Sequence, residues 1–113
     1  MLKHEDYIDI DDGLKRIGGN MVLYKRLLAT FVEGKHIMTS LVESLEKKDL
    51  NDAVHYTHTL KGMSANLSLV KISSLSAELE KQILDGQEHA DDLASLQSAF
   101  DATLECIAEL LNS

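Results

Sequence analysis

The chain is 113 residues long, 44% hydrophobic and 27% charged, with no proline, one cysteine and a formal net charge of −8. That length supports one packed core without staples, and the acidity excludes nucleic acid and anionic membrane surfaces as partners, since both call for basic patches. No apolar run approaches the roughly 18 residues needed to span a bilayer, so direct membrane insertion is excluded as well.

Strong helix formers dominate, and the expectation is an all-α single domain over residues 1–113. The N-terminal "MLKHEDYIDIDDG" lacks the apolar core of a signal peptide. Asp11 to Ile17 reads as a short first helix stopped by Gly18 and Gly19. Asn20 is a good N-cap for a helix with Met21, Tyr24, Leu27, Leu28 and Phe31 on one face. Gly34 kinks or breaks that run, which resumes through Ile37, Met38, Leu41, Val42 and Leu45.

Asp49 caps the next helix, where Leu50, Ala53, Thr57, Leu60, Ser64 and Leu67 alternate steps of three and four. The register fails between Asn66 and Lys71, marking a turn. Ile72, Leu75, Leu79 and Ile83 define another helix, stopped at Asp85-Gly86. Leu93, Leu96, Phe100, Thr103, Ile107 and Leu110 carry the last, with Cys106 on or beside its apolar stripe as core filler. Together these make an up-and-down four-helix bundle over about 20–112, with an additional short N-terminal helix over about 11–17. A self-sufficient bundle is expected to be a monomer. The lone Cys106 has no partner for an internal disulfide, which suits a reducing, cytoplasmic setting. A place within a larger membrane-anchored protein is also open.

One helix breaks its own rules. In "HYTHTLKGMSAN" Gly62 sits in mid-helix, where it costs about 1 kcal/mol relative to alanine. At about 100° per residue, His58 points about 120° away from the seam, into solvent. An outer stripe of Asn51, Val54, His55, His58, Lys61, Gly62 and Ala65 runs along that flank. Side chains lean toward the helix N-terminus, so Lys61 lies beside His58 while Gly62 leaves the space above it clear. An exposed imidazole with a neighbouring cation and open space suits a phosphohistidine carrier. The cation disfavours ring protonation and attracts a phosphoryl group, and the clearance admits a partner's active site.

"HTLKGMSANL" resembles the motif of the histidine-containing phosphotransfer (HPt) family of bacterial phosphorelays, His-x-x-Lys-Gly followed by small residues. "IDIDDGLKRIGGNMVLYKRLLATF" is similar to the family's N-terminal segment, and "LSAELEKQ" to its following helix. The resemblance implies that His58 is phosphorylated through Nε2, that Lys61 stabilises the phosphate, and that Gly62 gives a partner access. It also implies partners: response-regulator receiver domains or a hybrid sensor kinase. The receiver would supply Mg²⁺, and the chain would need no cofactor of its own. Met63 stands where the family usually has a small residue, and Ser68 where many members have glycine. The first bears on packing, the second on the turn that follows.

Alternatives share parts of this pattern. A helical module that binds receivers without phosphoryl chemistry would not need the His-Lys-Gly set. A chemotaxis-kinase phosphoacceptor domain has the same local motif. The dimerisation domain of a sensor kinase normally follows its histidine with an acidic residue and a proline, whereas Thr59 follows here. His55 and His58 could be two metal ligands, but no Cys, Asp or Glu joins them on the stripe, so no metal is expected. His4, His36 and His89 are expected in solvent. The chain shows no carboxylate pair for acid–base work, no phosphate-cradling glycine loop and no nucleotide motif, and is not expected to be an enzyme on its own.

Overall fold

A computed structural model describes residues 4–113; Met1 to Lys3, the start of the N-terminal stretch quoted above, lie outside the described residues. Among the described residues the chain forms seven helical segments: α1 His4–Tyr7, α2 Ile10–Arg16, α3 Met21–Glu33, α4 His36–Glu46, α5 Leu50–Asn66, α6 Val70–Leu84 and α7 Ala90–Leu111. Local chemistry sets the boundaries. Asn20 Oδ1 accepts from the Leu23 amide at 3.0 Å and Asp49 Oδ1 from Asp52 at 3.1 Å, each satisfying a donor that the first turn leaves unpaired. Gly18, Gly19 and Gly86 take positive φ where α2 and α6 end.

The first long run is kinked. Gly34 ends α3, yet the chain keeps a helical sense through three-residue bonds from Lys35 to Val32, Ile37 to Gly34 and Met38 to Lys35. A Cβ on Gly34 would meet its neighbours at ordinary distances, 3.5 Å or more, so sterics do not demand glycine there.

The arm formed by α3 and α4 packs through α4 on α5, α5 packs on α6, α6 on α7, and α7 returns to α3. That closed ring is the four-helix bundle. Its interior is built from Leu28, Phe31, Leu41, Leu60, Ile72, Leu79, Leu96 and Ile107, with the Phe31 and Phe100 rings 5.8 Å apart. The α5 seam is narrow because its buried residues are mostly small. Thr57 Oγ1 donates to Ala53 O at 2.8 Å and Ser64 Oγ to Leu60 O at 2.7 Å, so buried hydroxyls are satisfied within the helix.

Several sequence expectations need correction. The short helix starts at Ile10 instead of Asp11, with Asp9 as its cap, and Ile17 ends it. Segment α1 has no sequence counterpart above. Met21 and Leu50, assigned to apolar faces, are exposed, and each is the first residue of its helix, at the end of the apolar face. Of the scattered histidines only His36 is exposed; His4 is partly covered, with Nε2 2.5 Å from Glu109 Oε2, and His89 is half-buried.

The N-terminal helices clasp the turn between α5 and α6. Ser68 adopts a left-handed φ of 57°, the conformation that glycine takes without steric cost. Its strain is offset by pairing: the Asp9 amide donates to Ser68 O at 2.9 Å, and Ser68 Oγ donates to the Asp12 carboxylate. Tyr24 Oη donates to Leu67 O at 2.6 Å, and its ring lies against Gly13, where a Cβ would come within 2.6 Å of it. Burial, then the charges of Asp9 and Asp12, push the Tyr24 hydroxyl up to about 12. The Ser68 hydrogen bond and then that of Arg16 hold Asp12 below its usual range.

Candidate functional site

Asp49 starts α5, and the seam of Ala53, Thr57, Leu60 and Ser64 fixes its rotation on the bundle. That rotation places His58 on the outer surface with its side chain 70% exposed. Asn51, His55 and Gly62 are exposed on the same flank, and the His55 ring lies 5.6 Å from that of Tyr56. Val54, Lys61 and Ala65 are half-buried, since they lie on the edge of the stripe that turns toward α6. The open surface is therefore narrower than the stripe drawn from spacing. Around Gly62 the space is empty: a Cβ built there meets nothing within 4 Å. Met63, on the other side of α5, packs partly buried against the core and lies close to Gly34 across the kink.

The residue that sequence reasoning missed is Glu80 of α6. Its Oε2 lies 3.0 Å from His58 Nδ1, and its Oε1 accepts from Lys61 Nζ at 2.8 Å. Lys61 therefore does not stand alone beside the ring; one carboxylate holds both groups. Glu80 is only 13% exposed. Burial alone would raise its pKa, but the hydrogen bonds and charges of Lys61 and His58 outweigh it and hold the carboxyl below its usual range.

An ionised carboxylate only accepts, so Nδ1 carries the proton that bridges to Glu80. That leaves the lone pair on Nε2, the nitrogen on the far side of the ring. The arrangement sets an exposed imidazole nitrogen and a lysine ammonium on one shared carboxylate, with open space around Gly62. A signal for Glu80 did exist in the sequence. His58 and Glu80 stand at similar distances on either side of Ser68, so an antiparallel pairing of α5 and α6 brings them level.

A profile of the Hpt domain matches residues 26–113, which includes all of α4 to α7 and most of α3. The chain belongs to the Hpt domain family. Hpt domains carry out histidine phosphotransfer in phosphorelays and exchange phosphoryl groups with receiver domains. Comparison with curated proteins and with solved structures finds no match for this Hpt chain. The matched span begins at Arg26, so the N-terminal clasp lies outside it.

No kinase domain lies within this chain, and among the described residues no helix is long and apolar enough to cross a membrane. Among the described residues no group of three or more His, Cys, Asp or Glu is placed to hold a metal ion. Cys106 is buried in α7, and burial followed by the charges of Glu109 and Glu105 pushes its thiol pKa up.

Proposed function

We infer that His58 is the phosphoryl-carrying residue of this Hpt domain, taking the group on Nε2 from a receiver aspartyl phosphate and passing it to the aspartate of another receiver. The observation that carries this reading is the hydrogen bond between Nδ1 and Glu80 at 3.0 Å on a ring that is otherwise 70% exposed. It commits one nitrogen to the protein and offers the other to a partner.

In the forward step the Nε2 lone pair attacks phosphorus while the P–O bond of the donor's acyl phosphate breaks and its electrons return to the aspartate carboxylate. Lys61 swings its ammonium from Glu80 toward the phosphoryl oxygens, keeping a charge-assisted contact in both states. Gly62 keeps the approach clear. The receiver brings Mg²⁺ and its own acidic pocket, so this chain needs no cofactor. Docking is transient and buries no more than about 1,200 Å². Asn51 and His55 border the contact, with Val54 and Ala65 at its edge. The protein acts in the cytoplasm as a monomer, free or as one domain of a hybrid kinase.

The test is phosphoryl acceptance from phosphorylated receivers by the chain and by His58→Gln. Label that is stable to base and labile to acid should appear on the first and be lost from the second, while the exposed substitution leaves the fold unchanged. Label retained by His58→Gln would overturn the assignment.

A further inference from the structure

Gly34 divides the first arm of the bundle between two neighbours. Before the kink α3 packs on α7; after it α4 packs on α5. Between α4 and α7 this leaves a groove that follows α4 from the kink to its last turn, as two joined hollows of about 430 and 390 Å³. Met38, Thr39, Phe100 and Asp101 line both hollows, so the groove is continuous.

Its floor is apolar and its rim is acidic. Met38 and Phe100 form the base, and the half-buried Val42 and Leu104 leave apolar surface open beside them. Glu43 and Glu46 stand on the α4 side, Asp101 on the α7 side and Glu33 at the kink, against Lys35 and His36. Among the described residues none of these four carboxylates takes part in an ion pair. Like charges gathered around one groove repel each other, and a cationic partner gains from all of them.

We propose that the α4–α7 groove docks a basic amphipathic helix of a protein partner. The groove follows residues 33–46, about 20 Å, which matches about 14 residues of helix. Apolar side chains at helical spacing would lie on Val42, Leu104 and the adaptable Met38 thioether, with lysines or arginines on either side meeting the rim. A second copy of this chain is a poor occupant, since its net charge of −8 would meet the same charge. The helices follow the ring as α4, α5, α6 and α7, and His58 sits where α5 faces α6. The groove is therefore on the opposite side of the bundle, and one molecule can hold a receiver and a helix together. The proposal stands whether or not His58 carries phosphate.

The experiment titrates the full chain with fluorescein-labelled peptides of about 14 residues. The first has leucines at helical spacing with lysines between them, the second replaces every lysine by glutamate, and the third scrambles the first so that its leucines share no face. The first should bind at least about tenfold more tightly than either of the others, and weaken as salt is raised. Its amide shift changes should centre on Met38, Thr39, Val42 and Phe100. Glu43→Lys combined with Asp101→Lys should weaken it about tenfold. Glu78→Lys, an exposed position on α6 outside the groove, should stay within about twofold. Saturating peptide should leave unchanged the labelling of the chain by phosphoramidate, a small N–P donor, and by a phosphorylated receiver. Equal binding of the scrambled peptide would mean that charge alone attracts it, and equal binding of the glutamate peptide that the rim plays no part; either result overturns the proposal. So do shifts centred on the His58 stripe, self-association of the free chain through the groove, or no binding of the first peptide at about 1 mM.

Discussion

Position 62 separates what the fold wants from what the site wants. Gly62 lies inside α5, is exposed, and a Cβ there meets nothing within 4 Å. Nothing in the free protein opposes a side chain, so Gly62→Ala should stabilise by about 1 kcal/mol through helix propensity alone. For a domain of this size that raises Tm by about 4 °C. Gly62→Gln should gain somewhat less, and its side chain leans back over the His58 ring. The two donors then part company. Phosphoramidate, small enough to pass a glutamine, should label Gly62→Gln at close to the normal rate. A phosphorylated receiver, whose active site must close over the helix, should transfer at least tenfold more slowly, an effect worth about 1.4 kcal/mol. Alanine should lie near wild type for both. The assay is thermal unfolding followed by single-turnover transfer with each donor. A fall in Tm for Gly62→Ala would show the position is not open; wild-type receiver transfer by Gly62→Gln would refute the clearance argument.

Three other perturbations test neighbouring parts of the structure. Lys61→Ala removes the only cation hydrogen-bonded to Glu80 among the described residues; transfer should slow on the order of tenfold, and unchanged kinetics would remove the phosphate-stabilising role. Gly13→Ala drives a methyl group to within 2.6 Å of the Tyr24 ring, so it should destabilise by about 1–3 kcal/mol, read from the urea midpoint. A neutral result would mean that the clasp gives way without cost. The acid limb follows from Glu80, whose folded pKa lies below its usual value of 4.5. The unfolded carboxylate binds its proton first as pH falls, so the stabilisation is complete above about 4.5 and is lost as pH drops through the lower folded value. Urea unfolding across that range should show a shallower acid loss in Glu80→Gln, and identical slopes would contradict the depressed pKa.

The sequence by itself determined the long helices, the caps of α3 and α5 and which way α5 turns. Those features are local: Asn20 and Asp49 cap the turn that follows them, and Ala53, Thr57, Leu60 and Ser64 share a face because 3.6 residues make a turn. The outward direction of His58 and the clearance at Gly62 follow from the same period and needed no partner helix. Only the tertiary structure decided the pairings. Glu80 reads as one more solvated charge on α6 until that helix is set against α5 at one axial height and one rotation, and a turn's displacement of about 5.4 Å would carry it out of reach. Ser68 likewise keeps its left-handed backbone because Asp9 and Asp12 arrive from far along the chain. Periodicity fixes which face a side chain occupies; which group meets it there is set by the packing of whole helices, where many apolar contacts outweigh any one polar pair.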